Sequence, residues 1–308
     1  MDNERQKEHA PTLGHTPKGT HINEAAGRGR RRSWHSMSVI EELAEAVRKG
    51  DVLVVSGAGM STDSGLPDYR GMGSTPKAPI DFDMFVSDPV WYRWLWYRNE
   101  ATWKMLDALE PTLGHLALAA LEQEGLLLGV ATQNIDRLDA RAGVVSLWEL
   151  HGRYDTVVCL QCGRTMLREA LSMRLRELNP WIEEVTDLNK VEITPEADRE
   201  AAEACEFLAA RCEHCAGPLK PGIVMFGESL PQEVFTRALR AARAAKLVIV
   251  AGTSLAVSTG MWVVQEAIQS GAMLAVINRG PTQADRFADL RIEDGTSKIL
   301  KEVASRCL

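Results

Sequence analysis

Four cysteines of this 308-residue chain stand in two Cys-x-x-Cys pairs, Cys159 with Cys162 and Cys212 with Cys215. Each such turn presents two thiolates on one side, and two turns together supply the tetrahedron that zinc prefers. With four thiolates the shell is closed, so the metal would hold structure and leave no position for a catalytic water. The 49 residues between the pairs (163–211) exceed a minimal zinc ribbon and imply an inserted helical module. Cys205 and Cys307 read as ordinary thiols. The chain carries no apolar core of a secretion signal, and paired cysteines in that setting read as metal ligands before they read as disulfides.

A second group of residues suits a nucleotide. Gly57 and Gly59 in GAGMS follow the apolar run DVLVVS, where glycines let a backbone turn sharply and approach a pyrophosphate. The G-x-G-x-x-G pattern is incomplete, because Thr62 stands at its last position, so a simple tight turn is the competing reading. GTSLAV, opening at Gly252 behind another apolar run, is a second loop of the same kind. Gln133, Asn134 and Asp136 in TQNID carry amides and a carboxylate able to hydrogen-bond a ribose or a carboxamide, or else to form a polar turn capping the next helix. His151 ends the apolar segment SLWEL, at the carboxyl end of a strand where open α/β sheets hold ligands. There it is either a general base working near neutral pH or a packed histidine. Of the other six histidines, four lie before residue 36, His115 falls in a helical pattern and His214 lies between two cysteines.

These residues need a scaffold, and its elements are readable. MSVIEELAEAVRKG has helical spacing with Gly50 placed as a stop. DVLVVS, LLLGVAT, SLWEL, KLVIVAG and AMLAVIN are continuous apolar runs of strand length, as expected for a parallel sheet buried on both faces. Helical segments separate them, which predicts an α/β fold with a doubly wound, Rossmann-like parallel sheet. Two segments interrupt the alternation: the tryptophan-rich stretch from Asp81 to Trp103, read as core packing beside the sheet domain, and the cysteine-bounded stretch. The expected division is a disordered tail (1–35), a nucleotide-binding domain (36–157 and 220–308) with a helical insertion at about 72–110 that contributes to the small domain, and a zinc-binding module (158–219). The tail is polar and holds a basic cluster at Arg28, Arg30, Arg31 and Arg32. A net charge of −7 argues against a general nucleic-acid binder, and no apolar run reaches the roughly 20 residues that span a bilayer. A cytoplasmic protein is expected.

In order and spacing, GAGMSTDSGLPDYR, PTLGHLAL, TQNIDRL, LHG, the two cysteine pairs, KPGIVMFGE, GTSLAV and INRGPT resemble the sirtuin (Sir2) family of NAD-dependent protein deacylases, from about Val39 to the C-terminus. PDYR, LNPWIEEV, LKPGIVMFGE and INRGPT favour a class II-like member, similar to the fourth human mitochondrial sirtuin and its bacterial relatives. The resemblance implies NAD as co-substrate, one structural zinc and acyl-lysine proteins as partners. Gly57, Ala58, Gly59 and Ser61 would hold the pyrophosphate, and Asp68, Tyr69 and Arg70 would belong to a lid over nicotinamide and ribose. Gln133, Asn134, Ile135 and Asp136 would orient the ribose and receive the carboxamide, with Asn134 and His151 catalytic. Gly252, Thr253 and Ser254 would serve the phosphate and ribose side, and Asn278, Arg279, Gly280 and Thr296 the adenosine end. A peptide would add as a strand between Val224, Phe226, Gly227, Glu228 and Val257.

The reaction so implied has the acyl-lysine carbonyl oxygen attack the ribose C1′ as nicotinamide leaves, with His151 deprotonating a ribose hydroxyl. Free lysine, nicotinamide and O-acyl-ADP-ribose result. Two positions depart from the family pattern. Asp139 stands where a histidine is usual, and Leu95 stands where members selective for acidic acyl groups carry a tyrosine three residues before an arginine, here Arg98. The second departure argues against selective desuccinylation. The competing functions are NAD-dependent protein mono-ADP-ribosyl transfer and a non-catalytic NAD-sensing or zinc-ribbon binding protein.

Overall fold

The computed structural model describes residues 38–66, 79–182 and 197–308. The expected tail (1–35), Asp68, Tyr69 and Arg70 lie outside the described residues, as do the start of the helical insertion and residues 183–196 of the cysteine-bounded stretch.

Each apolar run named above forms a parallel strand. β1 (Val52–Ser56), β2 (Leu127–Thr132), β3 (Leu147–Glu149), β7 (Leu247–Ala251), β8 (Met273–Ile277) and β9 (Leu290–Ile292) build one six-stranded sheet in the order β3-β2-β1-β7-β8-β9. Every pairing in it is parallel. Alternate residues of β1 serve opposite faces. Val52 and Val54 join Leu43, Val47, Leu118, Leu300 and Val303, whereas Leu53 and Val55 join Ala238, Val263, Val264 and Ala267. Both faces are therefore covered by helices, which is why the strands read as unbroken apolar runs. The first helix, Val39–Arg48, starts where the Ser38 side chain accepts the Glu41 N–H at 3.2 Å, and Gly50 follows its end at φ +75°. Strand order reverses between β1 and β7, so the crevice beyond their carboxyl ends is where an open α/β sheet binds its ligand.

A second sheet, antiparallel and three-stranded, runs β5-β4-β6 from β4 (Gly152–Cys159), β5 (Thr165–Leu167) and β6 (Leu219–Ile223). Sequence patterning did not show β5 or β9, which are three residues each and too short to carry a period. The tryptophan-rich helix Pro89–Asp107 packs on this small sheet and not on the large one. Trp91, Trp96 and Trp103 share a buried core with Tyr154, Val157, Leu219, Cys159 and Cys212. Inside it lies a buried ion pair: Arg168 Nη2 meets Glu100 Oε2 at 2.6 Å, both side chains fully buried. Arg168 also reaches Asn99 Oδ1 at 3.1 Å and lies over the Trp96 and Trp103 rings, while Ser172 donates to Glu100. The guanidinium thus spends its charge on a carboxylate and two π-faces, the partners a desolvated cation requires. Among the described residues, no helix is long and apolar enough to cross a membrane.

Candidate active site

The two glycine loops meet backbone to backbone above the strand reversal. Gly59 N–H donates to Gly252 O at 2.8 Å, and a Cβ on Gly59 would fall 2.8 Å from Gly252 Cα. Gly252 sits at φ +63°, and a Cβ there would fall 2.6 Å from the Gly59 carbonyl carbon. No other residue fits either position, because the approach needs a bare Cα at both and left-handed backbone at Gly252. Ser61, at the end of the first loop, donates to Asp136 Oδ2 at 2.6 Å, and Thr296 donates to Gly59 O at 3.0 Å from the start of the last helix.

TQNID leaves the end of β2 and wires these loops together. Asn134 Nδ2 donates to Gly57 O at 3.0 Å and to Ser61 Oγ at 3.3 Å. Gln133 Nε2 donates to Thr253 Oγ1 at 3.0 Å and to Ser56 O at 3.3 Å. Asp136 Oδ1 takes the Leu138 N–H at 2.9 Å, so this carboxylate caps a turn and holds Ser61 together. The capping-turn reading of the pentapeptide therefore holds, and its two amides are bonded to the two glycine loops. The Ile135 side chain points into the aromatic core around Tyr154, so what it offers the crevice is backbone.

His151 follows β3 and opens onto β4. Its Nδ1 lies 2.9 Å from Gln133 O and its Nε2 2.8 Å from Thr259 Oγ1. A carbonyl can only accept, so Nδ1 carries the proton and Nε2 the lone pair, which takes the Thr259 hydroxyl hydrogen. Burial pushes the imidazole pKa below 6.5, with the hydrogen bond to the Gln133 carbonyl opposing in part. A neutral ring with a basic Nε2 is a proton acceptor at pH 7.

The remaining expected residues divide by what their side chains do. Asn278 Nδ2 donates to the carbonyls of Arg279 and Gly280, both at 3.0 Å, and Arg291 braces the same turn through Asn278 O and Gly280 O. The Arg279 guanidinium lies against Gly295, beside the helix that brings Thr296 to Gly59. Ser254 O takes the Gln283 N–H at 3.1 Å, joining the second glycine loop to this turn. Among the residues expected to meet a peptide, Val224 N–H donates to His151 O at 2.7 Å, and Phe226 and Val257 are exposed. The Glu228 carboxylate faces inward: its Oε2 takes the Met225 N–H and buried Lys220 Nζ, each at 2.8 Å, and so holds the loop rather than a ligand. Arg98 lies over the Trp94 ring, in a cavity of about 560 Å³ lined also by Tyr97, Trp181, Cys205 and Glu206.

Thr259 and Thr132, which bond these residues, were not singled out in the sequence, and Asp139 was noted there as a departure without a contact. Thr259 had one available signal, a hydroxyl two residues beyond GTSLAV. Thr132 accepts both Ser56 Oγ–H at 2.8 Å and Asn134 N–H at 3.1 Å, so its own hydrogen turns to Asp139. Asp139 is 2% exposed and its Oδ1 has no partner among the described residues. Burial, followed by the nearby Asp136 carboxylate, lifts its pKa to about 7. The sign of the linkage is set by the unfolded chain, where an aspartate ionises near 3.8. Between that value and about 7 only the unfolded state releases the proton, so Asp139 costs stability increasingly as pH rises across that window. Asp139→Asn is therefore expected to gain thermal stability relative to the parent from about pH 4 to 7, with a constant gap above. Melting curves of both proteins across that range check it, and a gap independent of pH would contradict it.

The sulfur atoms of Cys159, Cys162, Cys212 and Cys215 all lie within 4.8 Å of one another, with Cys159–Cys215 at 3.5 Å and Cys162–Cys212 at 3.8 Å. Tetrahedral zinc with bonds of about 2.3 Å needs sulfur separations of about 3.8 Å. These four cysteines could bind one zinc, and their donor set is the one such a structural ion takes.

Residues 57–259 match the protein family described as "Sir2 family". "NAD-dependent protein deacetylase 1" of Mycobacterium avium (strain 104) is 41% identical over 264 residues, covering 85% of this chain and 94% of the relative. "NAD-dependent protein deacetylase 1" of Streptomyces coelicolor (strain ATCC BAA-471 / A3(2) / M145) is 37% identical over 268 residues, 86% of this chain and 88% of the relative. A solved structure described as "Sir2-p53 peptide-NAD+" superposes with a TM-score of 0.68 at 29% identity, covering 86% of this chain and 97% of that one. Two touching glycine loops at a strand reversal, an amide-bearing turn between them, a neutral histidine and a four-cysteine centre thus fall within a match spanning most of the chain, which belongs to the Sir2 family, the sirtuins.

Proposed function

We propose that this sirtuin uses NAD to remove acyl groups from protein lysines, releasing nicotinamide and O-acyl-ADP-ribose. The observation that carries this reading is the state of His151: neutral, its Nδ1–H committed to Gln133 O, its basic nitrogen beside the loops of the strand reversal. The names of the Mycobacterium and Streptomyces relatives support the reaction class, and the Sir2 structure described with a p53 peptide and NAD+ supports a protein substrate.

In this reading the residues take the following parts. Gly57, Ala58, Gly59, Ser61, Gly252, Thr253 and Ser254 receive the phosphates and their ribose. Gln133, Asn134, Ile135 and Asp136 hold the nicotinamide-side ribose and carboxamide, and Asp68, Tyr69 and Arg70 close over them. Asn278, Arg279, Gly280 and Thr296 surround the adenosine. The acyl-lysine segment pairs as a strand beside Val224, Phe226 and Gly227 on one side and Val257 on the other, through main-chain bonds that tolerate many sequences. Glu228 contributes by fixing that loop through Lys220. His151 takes a proton at Nε2 from a ribose hydroxyl, and the freed oxygen attacks the acyl carbon. The metal centre stands outside these steps and holds the small sheet, and with it β4 behind His151.

We place the boundaries at 36–157 with 220–308 for the nucleotide-binding part and 158–219 for the zinc module. The distinct cores on the large and small sheets support two units, the smaller one also taking in β4, β6 and the helix Pro89–Asp107. A class II-like assignment rests on PDYR and INRGPT. Four thiolates kept free for a metal favour a reducing compartment, the cytoplasm.

The deciding experiment incubates the full chain with NAD and an acetyl-lysine peptide and follows O-acetyl-ADP-ribose by mass spectrometry. Equimolar nicotinamide, deacetylated peptide and O-acetyl-ADP-ribose are expected. ADP-ribose attached to protein without that product would support the transferase alternative, which the names of the relatives do not favour.

A further inference from the structure

The nitrogen that His151 must use as a base is already occupied in the free protein. Nε2 is 2.8 Å from Thr259 Oγ1, and Thr259 is only 8% exposed. Nδ1–H is committed to Gln133 O, so the Thr259 hydroxyl is the donor and the imidazole the acceptor. The same turn presses on the other side of the site: a Cβ on Gly260 would fall 2.8 Å from the Gln133 side-chain amide. The helix Ser258–Gln269 thus supplies one partner of the ring, Thr259, and begins against the residue that supplies the other, Gln133. Among the described residues, the influences on the ring are burial and the Gln133 carbonyl, with no carboxylate or ammonium among them.

We infer that Thr259 is a positioning residue for His151: its hydroxyl bond to Nε2, opposite the Gln133 bond to Nδ1, clamps the imidazole in one tautomer and orientation until the ribose hydroxyl takes its place. The inference deepens the deacylase reading and rests on it for the identity of the incoming hydroxyl. A donor to the lone pair of neutral imidazole stabilises the neutral form, so the clamp keeps the base unprotonated. At the catalytic step the substrate O–H bond breaks and an Nε2–H bond forms, while Thr259 keeps its own hydrogen and turns it away. One donor replaces another at Nε2, so the imidazole stays hydrogen-bonded as substrate enters.

The test is a histidine titration of the full chain by NMR, with the His151 signal assigned by its loss in His151→Gln. Thr259→Val keeps the branched shape and removes the donor, and Thr259→Ser keeps the donor. His151 of the parent and of Thr259→Ser is expected to titrate below 6.5, and that of Thr259→Val about 0.5–1 pH unit higher, the worth of one ordinary hydrogen bond. The acid limb of kcat/KM is expected to move by the same amount. A Thr259→Val midpoint equal to the parent's would overturn the inference, and so would a Thr259→Ser shift as large as that of valine. The titration needs no turnover: a chain that makes no O-acyl-ADP-ribose would refute the proposed activity and leave this result standing.

Discussion

Replacing His151 with alanine is expected to lower kcat for acyl-lysine cleavage by about 10²–10⁴-fold, the usual worth of one positioned general base. NAD affinity should change far less, because Gly57, Gly59, Gly252, Gln133 and Asn134 are joined to one another by bonds that bypass the imidazole. The substitution leaves Gln133 O and the Thr259 hydroxyl without this partner, so a melting curve must show that the fold survives. The pH profile gives an independent reading. The base works only when deprotonated, and its folded pKa lies below 6.5, so kcat/KM should hold down to that value and fall only as pH drops further. Steady-state rates of O-acyl-ADP-ribose formation check both points. Near-parental turnover in the alanine variant, or an acid limb well above 6.5, would remove His151 from the role of base.

Stripping the metal is expected to have the other large effect. Cys159 ends β4 and pairs across the centre with Cys215, which lies four residues before β6. Without the ion, four sulfur atoms within 4.8 Å would have lost the bonds that hold them. β4 runs from that centre back to Gly152, next to His151, and Val224 beyond β6 bonds the His151 carbonyl. Loss of zinc should therefore loosen the base and the peptide-binding loop together. Cys212→Ser or prolonged chelation is expected to reduce bound zinc from one per chain and to lower the melting temperature by about 10 °C or more, as the loss of several kcal/mol would. Elemental analysis beside a melting curve is the check. A metal-free chain that melts like the purified protein would show that the four thiols hold nothing.

Much of this site could be read from the linear chain because local chemistry names its own purpose. Two Cys-x-x-Cys turns have few uses besides a metal, and the folded chain brings their sulfur atoms to tetrahedral spacing. Buried parallel strands must be continuous apolar runs, so five of the six strands of the large sheet were visible as such. The sixth, Leu290–Ile292, is three residues at the edge, below the length at which any pattern emerges. The Trp-rich stretch was read as an insertion contributing to a smaller unit beside the sheet, and its tryptophans do pack on the small sheet.

What the sequence determined by itself was the inventory: the glycines, the amides, the histidine, the thiolates and the strands that carry them to one edge. Only the tertiary structure decided how these groups are spent. It turned the Glu228 carboxylate inward onto Lys220 and sealed Asp139 behind Thr132 with an oxygen unpaired. It also set Thr259 on His151 Nε2 across 108 residues of chain. The reason is physical. Residue type sets which bonds a group can make, but burial and hydrogen-bond direction depend on neighbours distant in sequence, and they choose which of those bonds is made.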